Sequence, residues 1–103
     1  MQLVFAQTAR RDLQDIIDYI ALENSAAAGK VFRAIVAVTR QLVDFPEMGH
    51  AGRLPDTREL AVAGLPYLIV YQVGGNVVTI IAVFHGARDL VRALAERGKA
   101  TGK

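Results

Sequence analysis

At 103 residues the chain fits one domain and leaves no room for a second of ordinary size. Hydrophobic residues make up 52% and charged residues 21%, which excludes a disordered tail or a fibrous repeat, and the absence of cysteine excludes disulfides, thiolate metal sites and cysteine nucleophiles. The net charge of +2 is too small for a non-specific nucleic-acid coat, but residues 49–103 hold seven Lys/Arg against four Asp/Glu, an excess that suits one local anionic partner.

Gln2–Phe5 reads as a first strand, and Thr8 as the N-cap of the helix that follows. Ala9, Leu13, Ile16, Ile17 and Ile20 fall at helical spacing, which predicts an amphipathic helix over Ala9–Glu23 whose acidic residues form a solvated face. Asn24 or Ser25 caps a second helix, in which Ala28, Phe32, Ile35, Val38 and Leu42 continue the period to about Asp44; Pro46 and Gly49 stop it. A link this short makes the two helices an antiparallel hairpin. Phe45–Asp56, with two Pro and two Gly, reads as a loop.

Arg58–Val62 is a short strand, and Tyr67–Val73 and Val77–His85 are longer ones, rich in β-branched and aromatic residues. Gly74-Gly75-Asn76 supplies the hairpin turn between the last two. Leu90, Val91 and Leu94 suggest a short final helix surrounded by Arg88, Arg92 and Arg97. The expected fold is α+β in the order β-α-α-β-β-β-α, a mostly antiparallel sheet packed on an N-terminal helix hairpin, with one domain over 1–97 and a flexible tail over 98–103. The long strands are apolar on both faces, yet only one substantial helical layer exists to cover them. An uncovered apolar face marks a partner site. The longest apolar runs, Leu65–Tyr71 and Ile80–Phe84, are far shorter than the roughly 20 residues that span a bilayer. Met1–Arg11 lacks the pattern of a signal peptide, so a cytoplasmic protein without membrane association is expected.

Two histidines and four arginines are the candidate chemistry. His85, at a strand end beside Gly86, suits an acid–base role or, more simply, a polar residue closing a strand. His50 sits in a Gly-flanked loop. Arg88 and Arg92 are spaced i, i+4 on one helix face, and Arg53 and Arg58 flank the start of the sheet; converging guanidinium groups could bind phosphate or an acidic segment, while each alone is ordinary surface. Tyr67, Tyr71 and Phe84 read as core. No metal-ligand or nucleotide-binding motif occurs, so neither metal nor cofactor is expected.

Ala9-Arg10-Arg11-Asp12-Leu13 with Ile16 and Tyr19, Phe45-Pro46-Glu47-Met48-Gly49, Pro66-Tyr67-Leu68-Ile69-Val70-Tyr71-Gln72-Val73, and Val83-Phe84-His85-Gly86-Ala87-Arg88-Asp89 together resemble the RelE/ParE superfamily of type II toxins. The resemblance spans nearly the whole chain. It implies a small α+β toxin neutralised by an antitoxin encoded beside it. RelE-like members cut mRNA on the ribosome without a metal; ParE-like members share the fold and inhibit DNA gyrase. The RelE-like pattern usually has Arg after the tyrosine matched by Tyr67, where this chain has Leu68, and Glu59-Leu60-Ala61 lacks the lysines of some nucleases. The resemblance therefore points to the ParE-like branch: a gyrase inhibitor with no catalytic residues, Arg88 and Arg92 toward the target, and a ParD-like antitoxin on the face of Leu68 and Val70. The alternatives are a ribosome-dependent mRNA endonuclease using His85, Arg53, Arg58 and Arg88, and a degenerate toxin that only binds its antitoxin.

Overall fold

A computed structural model describes residues 1–86, and these form β1 (Gln2–Phe5), α1 (Gln7–Ala21), α2 (Ser25–Asp44), β2 (His50–Ala51), β3 (Arg58–Ala61), β4 (Tyr67–Gly74) and β5 (Val77–His85). The expected final helix, with Arg88 and Arg92, and the expected tail over 98–103 lie outside the described residues.

The five strands form one mixed sheet in the order β1-β5-β4-β3-β2. The pairs from β2 to β5 are antiparallel, and β1 runs parallel to β5 in the register Gln2↔Val77 to Phe5↔Ile80. β4 and β5 meet through a two-residue turn in which Gly75 takes φ +58, a conformation glycine adopts without steric cost. Two expectations need correction. Phe45–Asp56 is not loop throughout, because His50 and Ala51 pair with Glu59 and Arg58 as a short edge strand. Two residues are too few to show any periodicity. Thr8 is not a cap: α1 begins at Gln7 with Ala6 as N-cap, and the Thr8 hydroxyl bonds instead to Ile81 O across the molecule. The cap of α2 is as expected, the Asn24 side chain accepting the Ala27 N–H at 3.0 Å.

Both helices lie on one face of the sheet. Ala9 and Leu13 of α1 and Ile35 and Leu42 of α2 are buried against Tyr67, Ile69, Tyr71, Val78, Ile80 and Val83. The other face carries a smaller cluster, with Val70 and Ala82 buried among Leu54, Leu68, Ile81 and Phe84. The β4–β5 register slips after Val70, because Val70 faces Ala82 while Tyr71 faces Ile80. Ile81 is thus the extra residue of a β-bulge.

Candidate functional site

The loop between α2 and β3 is built around one phenol. Tyr71, wholly buried in β4, donates its hydroxyl to Pro46 O at 2.8 Å and accepts the Gly49 N–H at 2.9 Å. Gly49 is there because nothing larger fits: a Cβ would stand 2.7 Å from both Glu59 O and the Tyr71 oxygen. Arg58 adds a third tie, Nη2 to Glu47 O at 3.1 Å. Pinned in this way, the loop holds Phe45 and Met48 out in solvent.

Glu59 organises the opposite side of β3. It is 2% exposed, and its Oε2 accepts the Arg53 N–H at 2.9 Å. It therefore fixes the Arg53 backbone rather than pairing with a guanidinium. A cavity of about 290 Å³ opens here, lined by His50, Arg53, Glu59, Tyr67, Leu68 and Gly86 among others. A larger hollow of about 740 Å³ lies under the same loop and is shared by Arg53 and Arg58.

The structure brings some predicted residues together and keeps others apart. Arg53 and Leu68 line one cavity, and Arg53 and Arg58 another. Arg58 pairs with Tyr71 and His85 with Tyr67, so both point to the helix side, at opposite ends of β4 and on different flanks of it. Four residues along the strand and two strand spacings across separate their backbones by about 16 Å. His85 is exposed and makes an edge contact with the Tyr67 ring, the centroids 5.4 Å apart. Burial pushes the Tyr67 phenol above its usual range, so it stays protonated at neutral pH. Val70 is buried and Leu68 half-buried on the face away from the helices. Among the described residues, no three His, Asp or Glu side chains gather as a metal-ligand set, and no helix is long and apolar enough to cross a membrane.

One surface escaped the sequence reading. A groove of about 350 Å³ runs between the helices beside β1, lined by Phe5, Leu13, Ile17, Phe32 and Val36, with Arg10 and Gln14 at its rim. Beside it lies the outer edge of β1, which no strand among the described residues pairs. The N–H groups of Gln2 and Ala6 bond to Asn76 O and Ile80 O, so by alternation Leu3 and Phe5 turn their backbone groups outward. The signal was Phe32: it shares the helical period of the core but is 45% exposed.

Comparison with known proteins gives a consistent answer. Residues 3–90 match the family described as ParE toxin of type II toxin-antitoxin system, parDE. The chain is 36% identical over 86 residues to the Y4kP protein of Sinorhizobium fredii, covering 84% of this chain and 88% of that one. It is 33% identical over 87 residues to Toxin RelE2 of Caulobacter vibrioides, covering 84% and 97%. Among solved structures, the chromosomal ParDE system from P. aeruginosa superposes with a TM-score of 0.75 at 26% identity, covering 84% of this chain and 96% of that chain. The intact E. coli RelBE complex superposes at 0.56 with 20% identity over 84% and 98%, a likeness of fold alone.

Proposed function

This chain belongs to the ParE toxin family of type II toxin–antitoxin systems, and on that footing we propose that it arrests growth by inhibiting DNA gyrase and is held inactive by a ParD-like antitoxin. The observation that carries the choice of target is the separation of His85 from Arg58. Metal-free cleavage of RNA needs a proton carrier and cations around a single phosphate. Among the described residues His85 and Arg58 sit at opposite ends of β4, which leaves Arg53 as the candidate cation near the His85 end, and Leu68 stands beside Tyr67 where a further cation would help a nuclease. Inhibition by contact has no such requirement.

The antitoxin would cover apolar surface. Two surfaces compete: the face of Leu68, where Val70 is already buried by its own chain, and the groove between the helices beside the outer edge of β1. The groove is the better fit to a partner helix or strand, because it offers apolar side chains and outward-turned backbone groups together.

The test of target is direct. Purified protein is added to a gyrase supercoiling assay containing no mRNA, and separately to a translating extract. Inhibition of supercoiling is expected, and it should persist in His85→Asn, which loses only an aromatic edge contact worth about 1 kcal/mol. A nuclease would lose about 10²- to 10⁴-fold by the same change. Intact gyrase activity alongside cleaved mRNA, with that cleavage abolished in His85→Asn, would replace this reading with the endonuclease.

A further inference from the structure

The loop from Phe45 to Gly49 is held more tightly than a simple connection requires. The Tyr71 hydroxyl ties it at Pro46 O and at the Gly49 N–H, Arg58 Nη2 ties it at Glu47 O, and the Met48 N–H closes it on Phe45 O at 3.1 Å. Each of the five residues gives one main-chain group to these ties, and the side chains of Phe45 and Met48 take no part. Those two side chains are 64% and 42% exposed and line a hollow of about 410 Å³ with Pro46 and Glu47. An apolar patch fixed in water marks a contact surface. One that is already ordered loses little further freedom on binding.

The charge beside the patch points to the chemistry of its partner. Pro46 and Glu47 also line the hollow of about 740 Å³ that Arg53 and Arg58 share, so the apolar patch and the two cations form one continuous surface. Glu47 and Asp56 line the same hollow, yet neither guanidinium is ion-paired among the described residues. Arg58 is half-buried; one of its N–H groups goes to Glu47 O, and its Nε is shut off from water without an acceptor. A cation withdrawn from water with no counter-charge favours an incoming carboxylate. Arg53 is exposed, and Glu59 holds its backbone N–H in place.

We propose that this surface is a contact for the target of the toxin, and that it receives a protein segment presenting an apolar side chain with a carboxylate beside it. The apolar side chain packs on Phe45 and Met48, and the carboxylate meets Arg58 and Arg53. The proposal rests on the reading that the protein inhibits its target by contact. It explains why so many main-chain ties serve a loop whose two largest side chains stay in water. No residue lines both this surface and the groove offered to the antitoxin, so the two partners can be tested apart.

Variants of the full chain test it. Phe45→Ser together with Met48→Ser removes the apolar half. Arg53→Gln removes a charge and no bond, while Arg58 is left in place because it also ties the loop. Tyr19→Ser, which removes a ring 77% exposed on α1, controls for the loss of any surface aromatic. The readout is the concentration that half-inhibits gyrase in a supercoiling assay. Growth inhibition on induction, melting by circular dichroism and affinity for the ParD-like antitoxin are measured alongside. The double variant should raise the half-inhibiting concentration by about tenfold or more. Arg53→Gln should raise it by about threefold and flatten its dependence on ionic strength. Tyr19→Ser should match wild type, all variants should melt within about 4 °C of it, and antitoxin affinity should hold within about twofold. A double variant that inhibits like wild type overturns the proposal. So does an equal loss in Tyr19→Ser, or a loss of antitoxin affinity as large as the loss of inhibition. If the double variant melts early, Met48→Ser alone decides: inhibition about threefold weaker is expected, and no change overturns the proposal. A wild-type chain that arrests growth without touching gyrase sinks the gyrase reading only, and the same comparison is then made on growth; one that does neither sinks that reading and this one together.

Discussion

Removing the hydroxyl of Tyr71 is the sharpest probe of the loop that carries Phe45-Pro46-Glu47-Met48-Gly49. Tyr71→Phe keeps the ring and its burial, so the hydrophobic contribution is unchanged. Two bonds disappear, one to Pro46 O and one from the Gly49 N–H. Each contributes about 0.5–1.5 kcal/mol net. The half-buried Pro46 carbonyl can turn to water, but the buried Gly49 N–H cannot, and leaving it unpaired costs about 1–3 kcal/mol. The sum is a loss of about 3 kcal/mol, or roughly 10–20 °C in Tm for a domain of this size. Urea and thermal unfolding followed by circular dichroism would read it. Gly49→Ala supplies the cross-check: its new methyl would crowd both Glu59 O and the Tyr71 oxygen, at about 1–3 kcal/mol. In the double variant one of those two crowding atoms is gone, so the combined cost should fall short of the sum by at least about 0.5 kcal/mol. A Tyr71→Phe protein within about 0.5 kcal/mol of wild type, or strict additivity in the double variant, would refute the assignment of the loop to this hydroxyl.

The partner surface can be located by charge insertion. Ile17→Asp in the interhelical groove should weaken antitoxin binding by tenfold or more, while Leu68→Asp should change it less; the reverse order in a calorimetric titration would return the antitoxin to the Leu68 face. Replacing Arg88 and Arg92 together by Ala should reduce gyrase inhibition and flatten its dependence on ionic strength, with antitoxin binding preserved, and full toxicity would show both to be ordinary surface. Tyr67 gives a pH signature. Its folded-state pKa is raised by burial, so its contribution to stability is complete below the unfolded value near about 10 and is lost as pH rises through the raised folded value. Urea midpoints of wild type should therefore fall more steeply than those of Tyr67→Phe on the alkaline side, and parallel curves would contradict the shift.

Much of the fold was legible because its signals are local. The 3.6-residue period of α1 and α2, the Asn24 cap, and the two long strands around Gly75 all follow from neighbours in sequence. What was hidden depends on distant partners. Thr8 has the chemistry of an N-cap, and only the end of β5 arriving beside it shows the other use of its hydroxyl. Asp12 looks like one more acid on a solvated helix face until Val83 is brought against it. The bulge at Ile81 leaves no trace in a strand that is apolar on both faces, because a slip of register changes no pattern there. Glu59 was hidden in the same way: in the strand Arg58-Glu59-Leu60-Ala61 it looks like surface charge beside Arg58, and only the fold shows it buried with the Arg53 N–H as its partner. At the site level, the sequence placed Arg53, Arg58 and His85 near the sheet but could not say which end of it each would occupy.

The parallel pairing of β1 with β5 also constrains the birth of the protein. Gln2 must find Val77, and Phe5 must find Ile80, across almost the entire described chain. Closing so long a loop is slow compared with folding the β4–β5 hairpin or the helix pair, whose contacts are local. Until Ile80 has emerged from the ribosome, the N-terminal strand has nowhere to pair. A nascent or prematurely terminated chain that lacks β5 is therefore left with β1 unpaired and β4 without its neighbour, an open target for proteases and for association with other chains.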